Sequence, residues 1–280
     1  MKKSFHACKD ADPGLPKVED ARKRVAGLQI NRQSMDANST YKKLTSKRHQ
    51  YLVFIGSFLG IAGLAGISYF SNSEQALLGF RRFLGGLNPL IGVCLAFILG
   101  LFLLSGLLSR GWFSIYKSEN LGGLFFSSSL AANFALVIIL LESARVVAFP
   151  ADLNIPFPGS LLFYPVIGFV VEIIFHVLPL SLVLLFLPSV SKRLTYRTII
   201  WPCLLLISLL EPMIQIILGF SAQYPLWTNL YGNFIHVYLI NLCQLVIFKR
   251  YDFISMYSFR LVYYILWHIV WGHLRLNLLF

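Results

Sequence analysis

Two residues of opposite chemistry, Glu172 and His176, stand inside the apolar run Val170-Val171-Glu172-Ile173-Ile174-Phe175-His176-Val177-Leu178-Pro179. Four positions apart, they share one face of a helix, one above the other. The run is long enough to cross a bilayer. An ionisable pair in hydrocarbon costs about 3 kcal/mol or more unless it is paired, hydrated or neutralised, which makes the pair a functional-site candidate. A self-satisfied packing pair is the plain alternative. Carboxylates beside imidazoles support acid–base activation of a water, or ligation of a metal.

These two groups have company. Glu211 lies in a later apolar run, beside Pro212, and His236 and His268 lie in the last two runs. The elements that must position them are set by composition. The chain has 280 residues, of which 57% are hydrophobic and 13% charged, with a mean hydropathy of +0.69. A soluble domain carries about 25% charged residues, so an all-α, polytopic transmembrane helix bundle is expected, in contact with the lipid bilayer and placed in the cell membrane. Seven spans are read: 51–70, 88–108, 122–147, 160–187, 198–220, 226–248 and 253–279. Residues 71–87, with Arg81-Arg82, read as an interfacial helix. Gly56, Gly60, Gly63 and Gly66 predict close helix contact for the first span.

Charge sets the organisation. Residues 1–49 are polar and basic and read as a disordered cytoplasmic tail. Residues 50–158 then form N-terminal transmembrane helices, and 159–280 a C-terminal four-helix core. The first 50 residues carry 12 Lys/Arg against 5 Asp/Glu. A basic arm beside a membrane is a topology signal, and without a recognition module it gives no reason to expect a nucleic-acid partner. With the N-terminus inside, inner loops hold Arg110, Lys117, Lys192, Arg193, Arg197, Lys249 and Arg250. Outer segments hold Arg81, Arg82, Arg145 and Arg275, so the N-terminus is expected inside and the C-terminus outside.

Counted from the outer ends, Glu172 lies about 11 residues in, Glu211 about 9, His236 about 10 and His268 about 11, all some 15 Å deep at 1.5 Å per residue. Four helices thus bring ionisable groups to one level. Pro179 and Pro212 strip the carbonyls of Phe175 and Ser208 of their helical donors at that level. Glu172, His176, Glu211 and His268 contain enough ligand types for a His₂-carboxylate site, so a divalent metal such as zinc is compatible with them, though the spacing is not HExxH. Glu142 and Arg145 are expected to pair at the end of the third span. Arg260, early in the last span, is expected to snorkel to the cytoplasmic surface. Tyr263, Tyr264, Trp267 and Trp271 are expected to pack around His268. Cys8, Cys94, Cys203 and Cys243 are scattered without CxxC spacing, so no disulfide framework or zinc ribbon is expected. No GxSxG motif occurs.

Val171-Glu172-x-x-x-His176, Glu211-x-x-x-Gln215 and Phe248-Lys-Arg-Tyr-Asp-Phe-Ile through Tyr264-Ile-Leu-Trp-His268-Ile-Val-Trp-Gly272 resemble the CPBP family, the CAAX prenyl-proteases and their bacteriocin-processing and immunity-protein relatives, over about residues 160–275. That family carries Glu-Glu-x-x-x-Arg, Phe-x-x-x-His and His-x-x-x-Asn/Asp on successive helices. Here Val171 replaces the first Glu, His176 the Arg, and Gly272 the Asn/Asp, while Glu211 and Gln215 take the places of Phe and His. Glu172 and His268 carry over directly. The resemblance implies an intramembrane endopeptidase acting on a membrane-embedded or prenylated peptide, with Glu172 or Glu211 as base and His268 and His176 orienting water or oxyanion. The departures leave open an inactive relative that binds a lipidated or helical partner as a binding or scaffold protein. A small transporter or proton relay is the third alternative.

Overall fold

Long apolar runs have no water with which to bond their backbone, so they satisfy it internally as helices. A computed structural model of the chain describes residues 47–190, 195–217 and 224–280, and among these no strand occurs. The chain divides into two units, Met1–Tyr51 and Leu52–Phe280. Of the first, only the helical residues from Lys47 on are described. The expected tail therefore falls almost wholly outside the described residues.

Among the described residues eight long helices follow in order: α1 (Lys47–Phe70), α2 (Glu74–Leu84), α3 (Pro89–Ser109), α4 (Ser118–Ser143), α5 (Gly159–Phe186), α6 (Tyr196–Ile217), α7 (Thr228–Arg250) and α8 (Phe253–Leu278). All but α2 are long and apolar enough to cross a membrane. The protein is a multi-pass membrane protein of all-α architecture. The helix α2 is the expected interfacial segment: Ala76, Gly79 and Phe80 are buried, while Arg81, Arg82 and Phe83 are exposed. A Cβ at Gly79 would stand 2.8 Å from the Phe163 ring, so the glycine lets α2 press onto α5.

The reversal between α7 and α8 is sharp because Asp252 caps α8. Its carboxylate accepts from Ser255 N at 2.8 Å and from Lys117 N at 3.1 Å, tying the start of α8 to the loop before α4. The helices α4 and α8 are then stitched along their length. Ser127 donates to Ser255 O at 2.5 Å, and Gly123 lies so close to Tyr251 that a Cβ there would meet its ring at 2.7 Å. By contrast, Gly56, Gly60 and Gly63 face open space, and a Cβ at Gly66 would meet only Leu90 at 3.8 Å. The expected glycine contact of α1 is corrected: α1 packs through Phe54, Ile61 and Ala65, with Phe54 against Phe97, Phe169 and Phe253. Cys94, Cys203 and Cys243 are unpaired, and Cys94 is exposed.

Candidate functional site

Of the four groups expected at one level, Glu172 and Glu211 meet in a buried network, organised around a residue expected elsewhere. Arg260 is 4% exposed. It does not snorkel, because buried partners wait on three other helices. Its Nε donates to Glu172 Oε1 on α5 at 2.6 Å. Its Nη2 donates to Glu211 Oε2 on α6 at 3.1 Å and to Gln244 Oε1 on α7 at 3.0 Å, and its Nη1 to Tyr264 at 3.1 Å. A weaker contact reaches Asn241 at 3.4 Å. Gln244 also donates to Glu172 through a very short contact. His176 Nδ1 lies 2.8 Å from Glu172 Oε2 but without hydrogen-bond alignment, and both of its ring nitrogens lack an aligned partner. Gly168, facing the Arg260 side chain, leaves room for it to cross: a Cβ there would lie 3.5 Å from its Cδ.

The backbone at this level is wound irregularly, as two prolines require. Residues Glu172–Val177, just before Pro179, form a π-helix, and Leu178 N–H reaches back to Ile173 O. Such π segments are frequent at functional sites. The helix α6 breaks at Ser208–Leu209, four residues before Pro212, and the Ser208 carbonyl freed there accepts from Asn241 at 3.4 Å. Further π segments span Thr228–Ile235 of α7 and Tyr264–Trp271 of α8.

The four residues singled out by sequence do not form one centre. Glu172, His176 and Glu211 join the Arg260 network, whereas His268 stands apart. Its Nδ1 lies 2.7 Å from Asn154 Oδ1, and its ring stacks on Tyr164 at 4.6 Å between centroids. Gly272, where the resembled motif has Asn or Asp, makes this contact possible: a Cβ there would stand 2.7 Å from Asn154 Nδ2. An amide from the α4–α5 connection thus reaches the histidine that the helix itself leaves without one. His236 pairs with Tyr263 at 3.1 Å. Glu142 does not pair with Arg145, which adopts a positive φ of 55° just beyond α4. It instead binds buried Arg275 through a very short contact and accepts from Trp271 Nε1 at 2.6 Å. Among the described residues no group of three or more His, Cys, Asp or Glu side chains is arranged to hold a metal ion. The four candidate ligands do not fit one, since Glu172 is committed to Arg260 and Gln244 and His268 to Asn154.

Beside the network lies a cavity of about 860 Å³, near the upper end of the roughly 300–1,000 Å³ usual for small-molecule sites. Its inner end, against the network, is polar, with Glu211, Gln215, Asn241, Arg260 and Tyr264, while His268, held by Asn154, and the apolar Ile167, Val170, Val171, Ile174, Ile214 and Trp267 line it as well. Arg82, Asp152 and Tyr224 line its opposite end, near the connections that follow α4 and α6. Glu172 and His176 do not line it, whereas Val171 does. Ile174 on α5 and Ile214 on α6 line the cavity and are 39% and 37% exposed. The outer half of α6 packs mainly on α7, with no comparable packing on α5, so the wall there is thin. Comparison of the chain with protein-family models, with curated proteins and with solved structures finds no match in any of the three.

Proposed function

We propose that this protein binds an amphiphilic ligand drawn from the bilayer, holding its polar group at the Arg260–Glu211 end of the cavity and its chain along the apolar lining. One observation carries the reading. The carboxylate of Glu172 sits behind the cavity wall, with Oε1 held by Arg260 and Gln244, and the side chain that lines the cavity beside it is apolar Val171. A carboxylate held by a guanidinium and an amide is a weak base, because removing its partners to accept a proton leaves buried charge uncompensated. The sparse packing of Leu210–Ile217 on α5, where Ile174 and Ile214 line the cavity, gives such a ligand a way in from lipid.

Hydrolysis by a divergent CPBP-type peptidase is the second reading, and one observation favours it. Glu211 and His268 line the same cavity, and His268 Nδ1 is held by Asn154, which leaves Nε2 as the ring's base. Native mass spectrometry of the purified full chain separates the two. The binding reading predicts one retained amphiphile per chain, unchanged in mass over hours, and at least about tenfold lower occupancy in Ile214→Trp, which fills the wall. Products heavier by one water in total, absent in His268→Ala, would favour hydrolysis. A chain that retains nothing under any mild detergent would overturn the binding reading.

A further inference from the structure

The donors and acceptors at the inner end of the cavity define the head group it accepts. Arg260 is spent. Its Nε is committed to Glu172, its Nη1 to Tyr264 and, at 3.5 Å, Glu211, and its Nη2 to Glu211, Gln244 and Asn241. A guanidinium offers five N–H donors, and these contacts account for them, so none is left for an anion entering the cavity. The two carboxylates share this cation unequally. Glu172 takes the short bond at 2.6 Å and a further donor from Gln244, and His176 lies against its other oxygen. Glu211 receives Arg260 at 3.1 and 3.5 Å and Gln215 at 3.4 Å. Of the two, only Glu211 lines the cavity.

Glu211 is therefore the carboxylate that a ligand in the cavity can reach. A carboxylate has about four lone-pair sites, and Glu211 has three donors, two of them at 3.4–3.5 Å, so it can accept a further one. Two carboxylates against one guanidinium leave the inner end short of positive charge, and a proton on His176 would serve Glu172, which it faces. Burying a carboxylate there without full compensation is costly. A ligand head that donates several hydrogen bonds and carries positive charge completes the balance, while a carboxylate or phosphate head meets Glu211 with no free donor beside it.

We infer that the ligand is a cationic single-chain amphiphile, a long-chain primary amine or its close analogue, whose ammonium docks on Glu211. This rests on the reading of the cavity as an amphiphile site and adds the chemistry of the head. Tyr264, bonded to Arg260, flanks the same end with a hydroxyl oxygen that can accept as well as donate, so it tolerates the ammonium without demanding it. Arg82 and Asp152, at the opposite end, carry opposite charges and do not reverse the preference.

The test uses the full chain in nanodiscs, with empty nanodiscs subtracted, and radiolabelled dodecylamine as probe, displaced by unlabelled dodecylamine, dodecanol or laurate. The amine should compete at about tenfold lower concentration than the alcohol, the gain of a charge-assisted pair, and laurate should be the weakest. Glu211→Gln should abolish the advantage of the amine over the alcohol, read as the ratio of the two competing concentrations in the same folded variant. Gln215→Glu, which adds a carboxylate at the cavity lining, should widen that advantage. Laurate equal to or better than the amine, or an amine preference that survives Glu211→Gln in folded protein, would overturn the inference while leaving the cavity an amphiphile site. If none of the three amphiphiles binds, the underlying reading falls as well.

Discussion

Arg260 is where the chemistry of the molecule is decided. A lone arginine seven residues into an apolar helix ordinarily reaches for the interface, because its stem is long enough and water is the cheapest partner. Here two carboxylates, a carboxamide pair and a tyrosine replace that water, and the residue stays inside. Removing one member of such a buried pair strands the other charge, at a cost of about 3–5 kcal/mol. Arg260→Met is therefore expected to lower the thermal midpoint of the detergent-solubilised protein far more than Glu211→Gln. Arg260→Met combined with Glu172→Gln should recover much of the loss, since the stranded carboxylate is gone. Thermal unfolding of the three variants reads this directly, and losses that simply add would contradict the coupling. The residues with the chemistry were visible in the run from Glu172 to His176 and in Glu211 and His268. Their pairing was not, because Arg260 lies 88 residues from Glu172 along the chain. One usable signal was the charge count of the spans: two deep carboxylates with a single arginine deep in the last helix.

At the scale of elements, hydropathy and proline placed most of what matters. The seven long helices and the interfacial α2 follow from apolar run length and from the Arg81-Arg82 stripe. The Ser208 carbonyl expected to be freed by Pro212 is found accepting from Asn241, and the turn before Pro179 is wound as π-helix. Small-residue spacing was the poorer guide: the α1 glycines face open space, while Gly123 and Gly272, outside any stripe, set the tight contacts with Tyr251 and Asn154. What a glycine does depends on the neighbour that approaches it, and helix periodicity carries no record of that neighbour. Glu142 likewise passed over Arg145, three residues on, for Arg275 on α8. Arg275 also donates to the carbonyls of Pro150 and Phe149, at 2.9 and 2.7 Å, so it clamps the α4–α5 connection that carries Asn154. Arg275→Met is expected to raise amide hydrogen exchange across residues 147–155 at least tenfold while leaving the α4 centre protected. Unchanged exchange in that connection would show that the clamp is dispensable.

Across the whole molecule, the polar layer and the cavity divide the work. The layer locks α5, α6, α7 and α8 together through one guanidinium, and the cavity beside it presents Glu211 and His268 to whatever enters. With the N-terminus inside, the orientation the loop charges predict, Arg82, Asp152 and Tyr224 of the cavity lining face the outer side of the membrane. The most direct measurement is photo-cross-linking of the reconstituted protein with a diazirine-bearing hexadecanol, followed by peptide mapping. The account predicts saturable labelling at Val170–Ile174, Ile214–Gln215 and Val237–Asn241, suppressed by Ile214→Trp. Labelling confined to the lipid-facing residues of α1 and α3, such as Leu59 and Phe102, and indifferent to that substitution would contradict it.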